Sequence, residues 1–460
     1  MLSVDSLVVN HRKNKLIGPV SFEVLAAEPL VIMGETGAGK SLVAQSVMGA
    51  LPDTLTATGE IYLDKKRIDQ LPGKEREQLW GRSLSMLPQE PWRALDPLMR
   101  SFKQVHESHH LVAGLSSREA RQKTKTDFQQ LSLEGAERKR PGKLSGGMGQ
   151  RVAFAAALAG GAPVLLADEP TKGLDADRVK TVNKALTDFA AKGGVLVVIT
   201  HDVTVAEAIG GQLLVLKDGN VVESGATHEI IAAPNHDYTK ALIQADPQHW
   251  ENLTPVASGD TLLETKHLIA GRQGIAITPT INLQLTQGQR VAITGPSGVG
   301  KSTLLDTLAS LIQPIKGTFT TSPAMGPTDI QKLYQDPPAS FAPGIALKKS
   351  LMDVAKLHRV PWNVIEELLE KLGIDTEMLK RGPNEVSGGE LQRIAIARAL
   401  SIQPKLLLAD EPTSRLDPIT QKETMKLLAD VTSKSNTAVL LVTHDKVMAE
   451  KWAGEDTIAL

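Results

Sequence analysis

Two lysines and two pairs of adjacent acids are the first residues in this chain whose types and spacing could do chemistry. Lys40 lies in GETGAGKS (34–41) and Lys301 in GPSGVGKS (295–302), each following an apolar stretch and preceding a helix-like one. Gly34, Gly37 and Gly39, and likewise Gly295, Gly298 and Gly300, allow the backbone to curl until its N–H groups converge on phosphate oxygens, aided by the helix N-terminus. In such a loop Lys40 and Lys301 would neutralise the β- and γ-phosphates of ATP, and the hydroxyls of Ser41 and Ser302 would ligate Mg2+. The plain alternative is a glycine-rich turn with a solvent lysine. It loses weight because the pattern occurs twice, both times with the same downstream partners.

Those partners are VLLADE (164–169) and LLLADE (406–411), buried-looking strands that end in two acids. A carboxylate pair at a strand tip is costly unless it faces a cation or solvent. Asp168 and Asp410 would complete the Mg2+ shell, leaving Glu169 and Glu411 to polarise water for attack on the γ-phosphate. Taken alone, an acidic strand end caps the next helix equally well; the upstream lysine loop decides between the two.

The elements that must position these groups are themselves repeated. VIMGETGAGKSLVAQSVMG returns as VAITGPSGVGKSTLLDTLAS, and KLSGGMGQRVAFAAALAGGAPVLLADEPTKGLD as EVSGGELQRIAIARALSIQPKLLLADEPTSRLD. From 40 to 301 is 261 residues but from 145 to 387 only 242, so the second copy is about 19 residues shorter in between. The expected organisation is a first domain over 1–247, a polar, turn-rich linker over 248–260 and a second domain over 261–460. Short apolar runs at 30–33, 164–167 and 195–200, answered at 290–294, 406–409 and 438–443, suit buried parallel strands, and the fold class is α/β.

Composition narrows the partners. In 460 residues, 51 Lys and Arg nearly cancel 52 Asp and Glu, which gives no global attraction to polyanions, and no nucleic-acid partner is expected. The absence of cysteine excludes disulfides, thiolate zinc and Cys nucleophiles. The N-terminus lacks the order of a signal peptide, and no apolar run approaches a membrane span. Any membrane role then falls to partner chains.

LSGGMGQR (144–151) and VSGGELQR (386–393), each 23 residues ahead of the strand aspartate, resemble the signature motif of ABC-transporter ATPases. The resemblance covers nearly all of both halves. It implies tandem P-loop NTPase domains, each with a RecA-like parallel-sheet core, a helical signature subdomain and an antiparallel β edge. It also implies that Gln89 and Gln335 are Q-loop residues touching Mg2+ and the attacking water, that Asp175 and Asp417 belong to D-loops, and that His201 and His444 are switch histidines. Ser145 with Gly146 and Gly147, and Ser387 with Gly388 and Gly389, would form anion cradles ahead of their helices. In the family arrangement the two domains close head to tail, Ser387 on the ATP held by Lys40 and Ser145 on that held by Lys301.

Two departures stand out. The family stacks adenine on an aromatic residue upstream of the P-loop, whereas HRKNKLIGPVSFEV and HLIAGRQGIAITPT offer none at a clear equivalent position; His11 is the remaining candidate. The second half also ends soon after EDTIAL, which reads as a domain trimmed at its C-terminal edge. QEPWRALDP, QDPPASFAP and AAPNHDYTKALIQADP resemble segments of the dipeptide, oligopeptide and nickel importer ATPases. That likeness implies a cytoplasmic motor, peripheral on the inner face of the cell membrane, working with two integral-membrane permease subunits and an extracytoplasmic solute-binding protein. Permease helices would dock around Gln89 to Arg100 and Gln335 to Gly344, where Trp92 and Phe341 serve either as apolar contacts or as core packing. The alternative is a soluble ABC ATPase acting on ribosomes or DNA. The short linker, the absence of room for a coiled coil and the absence of cysteine all count against it.

Overall fold

The computed structural model describes every residue except 90, 175, 254–258, 297, 327 and 415, and leaves the side chains of residues 92, 93, 146, 176 and 177 undescribed as well. The expected D-loop Asp175, the side chain of Trp92 and the middle of the expected linker therefore lie outside the described residues.

The chain forms two compact units, Met1–Ile243 and Gln244–Leu460. In the first, β1 (Leu2–His11) pairs with β2 (Asn14–Val24) on one side and, on the other, with β4 (Leu55–Leu63), which in turn carries β5 (Lys66–Arg67). These strands are antiparallel. The central sheet holds β3 (Leu30–Met33), β6 (Leu84–Leu87), β7 (Val164–Asp168), β8 (Val195–Thr200), β9 (Gln212–Lys217) and β10 (Asn220–Ala226) in the order β10-β9-β3-β8-β7-β6. All its neighbours are parallel except β10 and β9. Strands β3, β7 and β8 are buried at every residue, which is why they read as continuous apolar runs rather than alternating ones.

The second unit repeats the plan in reduced form. Its antiparallel layer comprises β11 (Thr261–Ile269), the small hairpin β12 (Gly271–Arg272) with β13 (Ile275–Ala276), β14 (Gln284–Thr286) and β16 (Lys316–Thr321). The core sheet is parallel throughout, with β15 (Arg290–Thr294), β17 (Ile330–Leu333), β18 (Leu406–Asp410), β19 (Ala438–Val442) and β20 (Thr457–Ala459) in the order β17-β18-β19-β15-β20. Most of the 19-residue difference lies between P-loop and Q-loop, 40 to 89 against 301 to 335. There the first unit inserts β5 and the short helix Gly73–Glu77.

The chain divides between 243 and 244, earlier than the expected boundary at 247/248, for a packing reason. Trp250 is buried in the apolar core of the second unit together with Trp452 and Phe341, and its Nε1 donates to the carbonyl of Ala245 at 2.8 Å. Leu253 N–H donates to Lys451 O at 2.9 Å. The start of the expected linker thus folds as part of the second unit. Phe341 resolves to core packing, with the Arg398 guanidinium 5.9 Å from its ring centre.

Candidate active sites

In each unit one sheet edge collects the residues singled out by chemistry. Adjacent strands β3, β8, β7 and β6 run parallel, so their C-terminal ends deliver in turn the P-loop, His201, the Asp168–Glu169 pair and the loop of Gln89. β15, β19, β18 and β17 deliver the P-loop of Lys301, His444, Asp410–Glu411 and Gln335 in the same way. The carboxyl ends of such sheets are where doubly wound folds take ligands.

Lys40 is buried, and its Nζ donates to the carbonyls of Gly34 and Glu35, both at 2.7 Å. Lys301 makes the same bonds, 2.7 Å to Gly295 O and 3.1 Å to Pro296 O. The lysine so holds its own loop curled. Burial lowers the pKa of Lys40, while Glu169 and Asp168 pull it back up. Gly39 and Gly300 cap the helices Lys40–Met48 and Lys301–Leu308 from the left-handed region, at φ 92° and 102°. A Cβ on either would run into an aliphatic side chain, Ile17 in the first unit and Ile277 or Thr278 in the second. His11 sits at the end of β1, paired across the strands with Asn14 and Leu55.

Glu169 and Glu411 sit in a backbone conformation that non-glycine residues seldom adopt, φ 50° and 46°. Each is fixed by its amide, which donates to the neighbouring strand at Ile199 O (2.8 Å) or Val442 O (2.9 Å). Each carboxylate is bonded to its histidine, Glu169 Oε1 to His201 Nδ1 at 2.7 Å and Glu411 Oε1 to His444 Nδ1 at 3.0 Å. Burial alone would raise both glutamates, but the adjacent histidine and the P-loop lysine hold them below the ordinary carboxylate value. His444 is raised in return, chiefly by its bond to Glu411. In the second unit Gln335 Nε2 also donates to Glu411 Oε2 at 2.9 Å. Among the described residues no hydrogen bond joins Gln89 to Glu169.

Asp168 and Asp410 are pushed the other way, raised by burial, with the Ser41 and Ser302 hydroxyls partly offsetting it. Ser302 Oγ donates to Asp410 Oδ1 at 3.1 Å. Oδ1 of Asp168 is buried without a hydrogen-bond partner. A buried carboxylate oxygen with no donor, beside a serine hydroxyl at a phosphate loop, fits a divalent cation. Among the described residues no cluster of three His, Asp or Glu could hold a metal alone, so such a cation would share phosphate oxygens.

Ser145 and Ser387 are exposed at the N-termini of the helices Gly146–Ala159 and Gly388–Leu400. Their hydroxyls accept from Met148 N–H at 3.4 Å and Glu390 N–H at 3.2 Å, which leaves each hydroxyl proton available to an anion. Gly146, Gly147, Gly388 and Gly389 form the first helical residues after them. Among the described residues no hydrogen bond ties either serine to the P-loop of its own unit. Asp417 is a helix cap, accepting from Thr420 N–H at 2.9 Å.

Three contacts lay outside the sequence reading. Gln150 donates to Pro170 O and Gln392 to Glu411 O, so each signature helix grips the loop of the catalytic-type glutamate. The buried Tyr238 hydroxyl accepts the P-loop amide of Glu35 at 2.8 Å. Lys332 stands 3.8 Å from Asp410. The HDYTKAL segment and the repeated QR after each signature glycine pair are signals that pointed to the first two.

The profile of the ABC transporter family matches residues 17–172 and 279–414. The chain is 32% identical to the peptidoglycan transport ATP-binding protein YejF of Agrobacterium fabrum (strain C58 / ATCC 33970), over 97% of this chain and 88% of that protein. It is 30% identical to the glutathione import ATP-binding protein GsiA of Escherichia coli (strain K12), over 98% of this chain and 83% of the relative. Among solved structures, an RNase-L inhibitor matches with a TM-score of 0.69 over 99% of this chain and 87% of its own, at 21% identity. With two P-loops, two signature helices and two Asp–Glu strand ends in the order that this match requires, the chain belongs to the ABC transporter family, as an ATPase built from two of its ATP-binding domains.

Proposed function

We propose that this ATPase powers an importer of peptides or related small solutes through two separately encoded permease subunits, fed by an extracytoplasmic solute-binding protein. Near full-length similarity to peptidoglycan-transport and glutathione-import ATP-binding proteins carries the reading. The segments following Gln89 and Gln335 and the tail at 232–247 support it further. Among the described residues no helix is long and apolar enough to cross a membrane, which agrees with a motor that docks on other chains. We place it on the cytoplasmic face of the membrane. Leu98, 76% exposed, is presented by a loop in which Asp96 Oδ1 accepts Leu98 N–H and Gln104 brackets Asp96 and Met99. This loop lies within Gln89 to Arg100, where the resemblance to importer ATPases would place a permease helix.

At each site Lys40 or Lys301 would bind the β- and γ-phosphates, and Ser41 with Asp168, or Ser302 with Asp410, would hold Mg2+. The cation would supply charge neutralisation on the transferring phosphoryl group. Glu169 and Glu411, kept ionised, would orient and deprotonate the attacking water, with His201 and His444 fixing their carboxylates. The signature serines, exposed and, among the described residues, bonded only within their own helix starts, would close on the opposite unit's ATP, so that two nucleotides bind the units head to tail. Gln89 and Gln335 would relay that closure to the permease.

The structural likeness to an RNase-L inhibitor, at 21% identity, extends to the fold alone and favours no ribosomal role. The experiment is to express the tagged chain at native level, solubilise membranes gently and identify what co-purifies. Two polytopic membrane proteins at equal ratio support the importer; recovery with ribosomes and none with membranes overturns it.

A further inference from the structure

Beside Asp410 the second unit carries a buried Lys332–Asp306 pair that the matching positions of the first unit do not form. Lys332 lies on β17 in register with Leu408, two residues short of Asp410. Its side chain is only 6% exposed, and Nζ lies 2.5 Å from Asp306 Oδ1 and 3.8 Å from Asp410 Oδ2. Asp306 stands on the P-loop helix one turn beyond Ser302, and Arg272 pairs with its other oxygen. Lys332 therefore ties the P-loop helix to the strand end that carries Asp410.

In the first unit the place five residues beyond the P-loop lysine is Gln45, and the place three before the Q-loop glutamine is Met86. Met86 lies on β6 in register with Leu166, likewise two residues short of Asp168, and packs against apolar core. The backbones match and the chemistry does not. One unit puts a thioether beside its strand-end aspartate; the other puts an ammonium.

We infer that the Lys332–Asp306 pair makes the two cation sites unequal, the second holding Mg2+ more weakly than the first. A cation at Asp410 must share that carboxylate with a buried ammonium, and two positive charges at one carboxylate repel in a poorly screened setting. Asp306, whose charge would offset Lys332, is itself divided between Lys332 and Arg272. Among the described residues Asp168 has no such close ion pair: Lys40 and Lys172 act on its charge from farther off, and its Oδ1 has no hydrogen-bond partner. Lys332 is thus a positioning residue that acts through Asp410. The inference rests on the reading that Mg2+ is held by Asp168 and Asp410.

The test measures how binding of trinitrophenyl-ATP to the full chain depends on Mg2+, with Lys40→Ala isolating the second site and Lys301→Ala the first. The second site should need roughly three to ten times more Mg2+ for half-saturation. Lys332→Met with Asp306→Gln should bring that value down to the first site's, and Met86→Lys with Gln45→Asp should raise the first site's by a similar factor. Unchanged or oppositely shifted values in the exchanges overturn the inference, and the reciprocal exchange decides alone where the other variant does not fold. Asp410→Asn in the Lys40→Ala background separates the two levels. Loss of Mg2+ dependence there, with inert exchanges, leaves the cation reading standing and removes the inference; retained dependence removes both.

Discussion

The two units hold the same P-loop helix by opposite means. In the first, the C-terminal carbonyls of the helix Lys40–Met48 are taken by a cation: the buried Arg76 donates to Ser46 O, Val47 O and Ile68 O at 2.7 to 2.9 Å, and Trp80 Nε1 donates to Met48 O. Both residues belong to the segment that the second unit lacks. There the helix Lys301–Leu308 is held from its side through Asp306, by Lys332 and Arg272. A cation at a helix C-terminus complements the backbone dipole without touching the phosphate end. An ion pair at the side, two residues from the strand-end carboxylate, does reach it. Duplication therefore preserved the reacting groups and let the supports diverge.

The largest effect removes what the units share. Glu169→Gln together with Glu411→Gln should lower steady-state hydrolysis by about a hundredfold or more while ATP still binds, since general-base contributions are of that order. Normal turnover in the double variant would sink the base assignment for both. Next, Lys40→Ala and Lys301→Ala should each cripple transport in reconstituted vesicles. Full transport in either one would break the symmetry of the comparison, leaving one unit as the engine.

Smaller changes should sharpen the difference. Arg76→Ala removes the guanidinium bonds to Ser46 O, Val47 O and Ile68 O and should destabilise the first unit by about 2–4 kcal/mol, leaving the second unit's melting unchanged. Tyr238→Phe deletes the acceptor for Glu35 N–H and should weaken ATP binding at the first site about fivefold, the worth of one hydrogen bond; equal loss at both sites would contradict the contact. The smallest effect is a pH dependence. His444 is raised above 6.5 and Glu411 lowered below 4.5. Sign by sign, the histidine's contribution is fully present below pH 6.5 and fades as pH rises through its folded value. The glutamate's is present above pH 4.5 and fades as pH falls through its own. His444→Gln should therefore cost the second unit most between pH 4.5 and pH 6.5 and progressively less as pH rises beyond that window, measured by thermal melting.

Much of this was legible because phosphate chemistry constrains residue type and spacing together. The glycine loops, both Asp–Glu strand ends and both histidines fall where their intervals put them, on neighbouring strand ends of one sheet in each unit. The supports were not legible for physical reasons. Lys332 sits in IQKLYQ, whose polar residues read as a solvated edge, although the tie to Asp306 buries the ammonium. Trp250 sits in a polar stretch, and only the fold shows that its ring completes the second unit's core. Tyr238 belongs to a motif visible in sequence, but its partner Glu35 lies 203 residues away. Arg76 reads as one more charge in GKERE, and its role depends on a helix end that spacing does not reveal.

The claim on which the rest depends is that both units are competent ATP sites. The most direct measurement counts nucleotide retained per chain by the purified Glu169→Gln, Glu411→Gln variant after incubation with radiolabelled ATP and Mg2+ and rapid desalting. Two ATP per chain is the predicted result. One ATP per chain, abolished by only one of Lys40→Ala and Lys301→Ala, would contradict it.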